Sequence, residues 1–290
     1  MKKTVTKILA LALCLGCLFT LTACGEKKTD ADQKAEIVIA VPNDTTNEAR
    51  ALLLLDTLGY IKVDPDAGIQ ATVLDITENP HNITFREVEA AQIPRILQDV
   101  DYGIINSNYA IEAGINPVAD SLAMEGSASA YVNILCVKEG NETSDAAKAL
   151  AAALESQQVA DYIAQTYDGA VVTAVENPTD GYDSSVDYGA LAGTTITVAA
   201  SPAPHAEILA VAQEILAEKN VTLEIKEFTD YIQPNSVVES GEVFANYFQH
   251  VPYLDDFNKE NGTHIVNVAG IHVEPMGLYG GKQTSLDAIA

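Results

Sequence analysis

Basic side chains are scarce in this chain. Its 290 residues include 16 Lys and Arg against 41 Asp and Glu, which gives a formal net charge of -25. Nucleic acids and anionic lipid surfaces bind proteins through basic patches. The composition therefore argues against nucleic acid or anionic lipid as a partner. Arginine is the rarer of the two basic residues and occurs only at Arg50, Arg86 and Arg95.

The motifs of common catalytic and metal sites are also missing. There is no G-x-S-x-G elbow, P-loop or G-x-G-x-x-G loop, and beyond residue 24 there is no C-x-x-C or H-x-x-H pair. The five histidines lie in different segments, without a catalytic or metal-binding spacing. We therefore expect that the protein is not an enzyme and that it holds no metal ion or cofactor.

The amino terminus has the pattern of a bacterial export signal. Three lysines precede an apolar run at 8–21, which is too short to span a bilayer. Residues 21–24, Leu-Thr-Ala-Cys, match the lipobox, in which the cysteine is lipidated. We expect a lipoprotein signal peptide at 1–23, a lipid such as palmitate on Cys24 and a flexible tether at 24–35. The alternative is an ordinary cleavable signal that happens to contain a cysteine.

No disulfide is expected in the exported part. Cys14 and Cys17 belong to the leader, Cys24 is the predicted lipid acceptor, and Cys136 stands alone in an apolar run. A single cysteine has no partner within the chain. We interpret Cys136 as a buried, inert thiol.

Beyond the tether, strands alternate with helices in two similar sets. Apolar, β-rich runs predict buried parallel strands in both sets, the first within 36–137 and the second within 195–268. Alanine and leucine at helical spacing predict one long helix at 144–167, and a Gly-, Asp- and Ser-rich stretch at 176–193 predicts a connector. Residues 246–250 are expected to form a polar loop after a short strand at 243–245. Two α/β units imply two lobes with a cleft between them.

Two sequence blocks give the chain a family resemblance. PNDTTNEARALLLLD at 42–56 and ANYFQHVPYLDDFN at 245–258 closely resemble the methionine-binding lipoproteins of bacterial ABC importers. In that family the second block comes first. The resemblance implies a two-lobed, type II periplasmic-binding-protein-like α/β fold with a hinge and an interlobe cleft, circularly permuted. The implied lobes are 36–135 plus 284–290 and 194–280, with 140–169 a helix returning to the other lobe and 170–193 the linker.

The resemblance also implies the ligand site. Arg50 corresponds to the arginine that holds the ligand carboxylate, and Asn106 and Asn133 to asparagines that bind its backbone groups. From residue type alone, Arg50 could be a solvated helix residue and the asparagines ordinary turn residues. The ligand side chain is expected to meet aromatic and imidazole groups, with His205 and Tyr253 as neighbours of the site; the expected groups are Tyr231, Phe248, His250 and Tyr279. On their own, these aromatic residues could equally be core.

The function implied by the resemblance is capture of L-methionine by a lipid-anchored protein on the extracytoplasmic face of the cell membrane, for delivery to an ABC importer permease. Two alternatives remain open at this point. The ligand could be a methionine-containing dipeptide or another apolar amino acid, or the chain could be a surface lipoprotein that no longer serves transport.

Overall fold

A computed structural model describes residues 36–126 and 131–289 of the chain. The predicted signal peptide, Cys24 and the tether lie outside the described residues. None of the described helices is long and apolar enough to cross a membrane.

The described strands are short, and most are buried. In chain order they are β1 (Ile37–Pro42), β2 (Lys62–Val63), β3 (Ile76–Glu78), β4 (Ile83–Val88), β5 (Tyr102–Ile105), β6 (Ser121–Met124), β7 (Val132–Lys138), β8 (Val172–Thr173), β9 (Thr195–Ala200), β10 (Thr222–Glu227), β11 (Ala245–His250), β12 (Ile265–Val273) and β13 (Gly277–Gly280).

The α-helices connect these strands. They are α1 (Thr45–Thr57), α2 (Ile93–Ile96), α3 (Ser107–Glu112), α4 (Pro117–Asp120), α5 (Asp145–Leu154), α6 (Gln157–Thr166), α7 (Tyr188–Leu191), α8 (Glu207–Ala217), α9 (Gln233–Glu239) and α10 (Val251–Asn261), with a π-helical turn at Pro202–Ala206 before α8.

The strands form two main sheets. The first sheet has the order β4-β1-β5-β13-β6 and the second has the order β10-β9-β11-β7-β12-β8, while β2 and β3 pair separately. Strands β1, β4 and β5 are parallel, as are β9, β10 and β11. In contrast, β13 runs antiparallel to β5 and β6, and β7 runs antiparallel to β11 and β12. Both sheets are therefore mixed, whereas the apolar runs alone predict parallel strands.

The chain crosses between the two sheets twice. Strand β7 follows β6 of the first sheet but lies inside the second sheet, and β13 follows β12 of the second sheet but lies inside the first. We call the two connecting segments the crossovers; the described residues of the first are Glu125, Gly126 and Tyr131, and the second is 274–276. The lobe limits expected from the sequence, at residues 135 and 280, do not coincide with the limits of the sheets. Residues 132–135 belong to the second sheet, and residues 277–280 belong to the first.

Local side-chain chemistry sets the helix limits near the crossovers. Asp44 caps α1 by accepting from the Asn47 backbone N–H at 3.0 Å, and Gly59 follows the helix with a φ of +82° that glycine adopts easily. The long helix predicted at 144–167 is instead two helices. Ser156 begins α6 by accepting from the Val159 N–H at 3.2 Å, and a serine that caps a helix interrupts the preceding one.

Two hydrophobic clusters hold the sheets and their helices together. Helix α1 packs its leucines on the first sheet, and α5, α6 and α8 cover the second. The carboxyl terminus joins the first cluster: Ile289 is fully buried beside Ile37, Ile39 and Val41 of β1. The Tyr102 hydroxyl donates to the Ser285 carbonyl at 2.7 Å. The last residues of the chain therefore complete the core around its first strand.

Cys136 is fully buried in β7, and burial raises the pKa of its thiol above the usual range. A protonated thiol is a poor nucleophile. This agrees with an inert, structural cysteine.

Candidate functional site

A pocket lies beside the two crossovers. It contains six of the seven ligand residues expected from the sequence; its full lining is Asn47, Arg50, Asn106, Ser107, Asn108, Asn133, His205, Tyr231, Phe248, Gln249, His250, Tyr253 and Glu274. Strands β7 and β11 of the second sheet supply part of this lining, and helices α1 and α3 beside the first sheet supply another part. We call this pocket the cavity.

Tyr279 is the expected residue that does not line this cavity. It is 1 % exposed in β13 and packs with Ile105 and Tyr109 in the core. Gly277 leaves room for it, since a Cβ there would lie 2.7 Å from the Tyr279 ring. The structure thus places Tyr279 in a hydrophobic cluster of the first sheet, and it is not part of the cavity lining.

Arg50 is the basic residue of the cavity lining and is 4 % exposed. The second turn of α1 carries it to the crossovers. Its Nε donates to both carboxylate oxygens of Glu125 at 2.9 Å, and its Nη2 donates to Glu125 Oε2 at 2.5 Å. Nη2 also donates to the Glu274 carbonyl at 2.7 Å, and the guanidinium lies 4.4 Å from the centre of the Tyr131 ring. Arg50 therefore contacts both crossovers while it faces the cavity.

A chain of amides orients the polar wall next to Arg50. Asp44 Oδ1 accepts from Asn47 Nδ2 at 2.8 Å, and Asn47 Oδ1 accepts from Asn106 Nδ2 at 2.8 Å. Because Asp44 Oδ1 also accepts from a backbone N–H, it must act as an acceptor, and this fixes the direction of both amides. The Asn106 Oδ1 acceptor is left buried and without a hydrogen-bond partner.

The lining also includes a buried carboxylate, Glu274, which contacts two imidazoles. Glu274 Oε1 lies 2.7 Å from His272 Nε2 and 3.2 Å from His205 Nε2. His205 Nε2 also lies 2.9 Å from Asn133 Oδ1, and His272 Nδ1 contacts the Tyr247 hydroxyl. Asn133 is therefore held by an imidazole in the cavity wall.

Burial sets the protonation of these groups. It lowers the pKa of His205 and His272 to about 3, so both imidazoles are neutral near pH 7. Burial also raises the pKa of the Glu274 carboxyl from its ordinary value. His250 is likewise neutral, with a pKa of about 3 caused by burial and then by the charge of Arg50.

Aromatic rings form the remaining wall. The Tyr231 ring centre lies 6.0 Å from Phe248 and 5.8 Å from Tyr253. The Tyr231 hydroxyl donates to Asn108 Oδ1 at 2.7 Å, and the Tyr253 hydroxyl donates to the Tyr231 carbonyl at 2.9 Å. His250 completes this wall, with its ring 6.3 Å from that of Tyr253. The wall suits an apolar side chain, and aromatic edges make favourable contacts with a thioether sulfur.

Within the described ranges, one group of side chains could hold a metal ion. The donor atoms of His205, His272 and Glu274 lie within 4.8 Å of one another, and all three residues are buried. The sequence does not suggest this group, because His205 lies far in sequence from His272 and Glu274, which are themselves two residues apart. Their mutual hydrogen bonds already satisfy Glu274 Oε1 without a metal.

Five buried polar lining residues are not among the site residues expected from the sequence; they are Asn47, Ser107, Asn108, Gln249 and Glu274. Residues 246–250, expected in a loop, form β11, which puts Phe248 and His250 on a strand instead. Glu274 carries a usable signal, since an acidic residue between an apolar strand and a proline is unusual for a core segment. Asn47 carries no such sequence signal beyond its place in the block at 42–56 that resembles the family.

An enclosed cavity with a buried arginine, amide groups and an aromatic wall is typical of a small-molecule-binding protein. The chain belongs to the NlpA lipoprotein family, whose sequence profile matches residues 27–175 and 196–290. Over 142 residues it is 45% identical to membrane lipoprotein TpN32 of Treponema pallidum, a match that covers 49% of this chain and 53% of that protein.

Two further relatives carry ligand names. The chain is 40% identical over 136 residues to the D-methionine-binding lipoprotein MetQ of Yersinia pestis, covering 46% of this chain and 50% of that protein. A solved structure of a nutrient binding protein from Burkholderia cenocepacia bound to methionine is 50% identical, with a TM-score of 0.32, covering 34% of this chain and 42% of the other. The chain spans about half the length of the curated relatives that it matches.

Proposed function

We propose that this chain is a membrane-anchored, extracytoplasmic solute-binding protein that captures methionine and delivers it to an ABC importer permease. The observation that carries the proposal is Arg50, a buried arginine that faces a cavity with one amide-lined wall and one aromatic wall. Nε and Nη2 of Arg50 pair with Glu125, so the group that would donate to a ligand carboxylate is Nη1 of the same guanidinium. The Yersinia pestis relative, named for D-methionine binding, supports the choice of ligand.

We propose a single amino acid as the ligand, and titration with methionyl dipeptides tests the dipeptide alternative. Lipid attachment at Cys24 and interaction with a permease remain part of the proposal, supported by the lipobox and by relatives that are named lipoproteins.

We also infer that the chain is a circular permutant of the family fold. The family profile matches on both sides of residues 176–195 and leaves that stretch out, which is where the predicted connector lies. The carboxyl-terminal Ile289 packs beside β1, as expected if the two ends were once neighbours in sequence. Exposed loops between such neighbours tolerate cutting.

Isothermal titration of the chain without its leader tests the ligand assignment. We expect selective binding of methionine over other apolar amino acids and over methionyl dipeptides. Arg50→Ala should weaken methionine binding by about thirtyfold or more, since truncating one side of a buried charge pair costs roughly 2 to 5 kcal/mol. The exposed Arg86 and Arg95 are matched controls, and alanine there should change the affinity little. Equal losses for all three variants, or no methionine binding by the wild type, would refute the assignment.

A further inference from the structure

Helix α3 follows β5 of the first sheet, but its side chains also contact elements of the second sheet. The Tyr109 ring centre lies 4.9 Å from that of Tyr231, with an angle of 32° between the rings, and the Tyr109 hydroxyl donates to the Thr229 carbonyl at 3.4 Å. Thr229 and Tyr231 belong to the segment between β10 of the second sheet and α9. Ile111, also in α3, packs against the hydrophobic cluster of the second sheet. Helix α3 therefore joins the two sheets at a place other than the crossovers.

Tyr109 itself is anchored on the side of the first sheet. It is 5 % exposed and packs in one hydrophobic cluster with Ala40 of β1, Ile105 of β5 and Tyr279 of β13. Burial raises the pKa of the Tyr109 hydroxyl above its ordinary value, so the hydroxyl stays protonated and can donate. The Tyr109 ring is thus a fixed surface of the first sheet, and Tyr231 packs against the cluster that contains it.

The segment on the other side of this contact is also held firmly. Asp230 Oδ1 accepts from the Ile232 and Gln233 backbone N–H groups, both at 2.8 Å, and such a side chain to backbone turn fixes the local backbone. The Tyr253 hydroxyl of α10 donates to the Tyr231 carbonyl. Tyr231 therefore moves together with the second sheet, whereas Tyr109 moves with the first.

The two stacked rings separate the cavity from a groove outside it. Tyr231 lines the cavity, while Tyr109 belongs to the lining of the outer groove together with Glu112, Thr229 and Asp230. A ligand in the cavity meets Tyr231 and has Tyr109 behind it. Any effect of Tyr109 on binding must therefore pass through its contact with Tyr231 and Thr229.

We propose that Tyr109 is a positioning residue that acts as a latch, holding the two sheets together over a ligand in the cavity. The ring contact and the hydroxyl bond exist only while the 229–231 segment lies against α3, so both favour the closed arrangement of the sheets. A ligand enclosed between two moving parts leaves only after they open. The inference rests on the proposed function and adds to it: Tyr109 sets how long methionine stays bound.

The test measures the rates of methionine binding and release with ³⁵S-labelled methionine, using an excess of unlabelled methionine to follow release. We expect Tyr109→Ala to speed release by about tenfold, which corresponds to 1.4 kcal/mol, and to leave the association rate within about twofold of the wild type. The change belongs in release because the latch opposes opening, whereas the ligand enters an arrangement in which the latch is already open. A residue that only supported the fold would lower the free energy of unfolding without changing the release rate.

Two further variants control the measurement. Tyr109→Leu keeps an apolar side chain in the cluster and covers the case in which Tyr109→Ala does not fold; it should also speed release severalfold. Tyr102→Phe is the matched control, because Tyr102 is a buried tyrosine of the first sheet whose hydroxyl bond, to the Ser285 carbonyl, stays on that side. Its release rate should equal that of the wild type. An unchanged release rate in a folded Tyr109 variant would overturn the latch, and so would an equal acceleration by Tyr102→Phe or a loss confined to the association rate.

Small-angle X-ray scattering separates failure of the latch from failure of the proposed function. If the wild type binds no methionine, the proposed function is refuted, and the latch is judged on the chains without ligand, since its contacts join protein to protein. The Tyr109→Ala chain should then have a larger radius of gyration than the wild type, because the sheets are held together less tightly. Equal radii would overturn the latch as well.

Discussion

The contact between Arg50 and Glu125 gives the sharpest quantitative test of the site. Glu125 belongs to the first crossover and is 15% exposed, while Arg50 is 4% exposed, so the pair is largely removed from water. Breaking a buried ion pair by removing one partner costs about 3 to 5 kcal/mol. Because Glu125 retains some solvent contact, we expect Glu125→Ala to lower the free energy of unfolding by about 2 to 4 kcal/mol.

Part of that loss is not due to the ion pair. Glu125 Oε2 also accepts from the Met276 N–H of the second crossover at 2.9 Å, a bond worth about 1 kcal/mol. Glu125→Gln retains an oxygen for Met276 but removes the charge. We therefore expect Glu125→Gln to cost less than Glu125→Ala, and the difference between them measures the backbone contact.

A double-mutant cycle isolates the pair itself. Urea unfolding of Arg50→Ala, Glu125→Ala and the double variant should give a coupling free energy of about 2 kcal/mol, because each single variant leaves the other charge unpaired. Arg50 retains the Glu274 carbonyl and the Tyr131 ring when Glu125 is removed, which limits the loss. Additivity of the two single losses within about 0.5 kcal/mol would refute this coupling, since it would show that the two side chains are energetically independent.

Two further predictions concern His250 and the order of the chain. His250 has a folded pKa of about 3 against about 6.5 when unfolded, so its contribution to stability is present above pH 6.5 and is lost as the pH falls towards 3. By pH 5 the loss in the free energy of unfolding is roughly 2 kcal/mol. His250→Asn should therefore make the free energy of unfolding, measured with urea, depend less steeply on pH between pH 6.5 and 5. Parallel curves for variant and wild type would contradict this. A reordered chain, with 194–289 placed before 36–175, should fold and bind methionine within about tenfold of the original affinity, since each 1.4 kcal/mol is tenfold. Calorimetry measures this, and loss of binding by a folded reordered chain would count against the permutation.

Much of the fold could be predicted because, in several segments, the local sequence preference agrees with the structure that the tertiary fold requires. The helix after Asp44 has a leucine-rich stretch between a capping aspartate and a terminating glycine, so local and tertiary preferences agree. The strand at 83–88 is likewise a β-rich segment that the structure forms. The break at Ser156 escapes prediction because alanine-rich sequence continues on both sides of it, and only the hydrogen bond to Val159 shows that a new helix begins. The sequence also does not predict which sheet β7 joins and which sheet β13 joins, because each of these strands pairs with strands that are distant in sequence.

The cavity likewise has some residues that the sequence predicts and others that it does not. Arg50, Asn106 and Asn133 lie in segments whose type the sequence indicates, and the structure brings them to one cavity. Tyr279 and Phe248 carry the same aromatic signal, but strand direction sends one ring into the core and the other to the cavity wall. His205 meets Glu274 only in the fold, and the pairing of β12 with β7 places His272 opposite Asn133. Residue type therefore indicates the chemistry of the site, whereas long-range strand pairing determines which residues line the cavity.

The exchange of strands between the two sheets has a consequence for how the chain folds. The first sheet lacks an inner strand until Gly277–Gly280 inserts between β5 and β6, and the second sheet needs Val132–Lys138 between β11 and β12. Neither sheet can close while the last part of the chain is still being synthesised. Such long-range pairing slows folding and keeps apolar strands exposed for longer. The amino-terminal half therefore reaches its final architecture only when β12 and β13, which are synthesised late, have joined the two sheets.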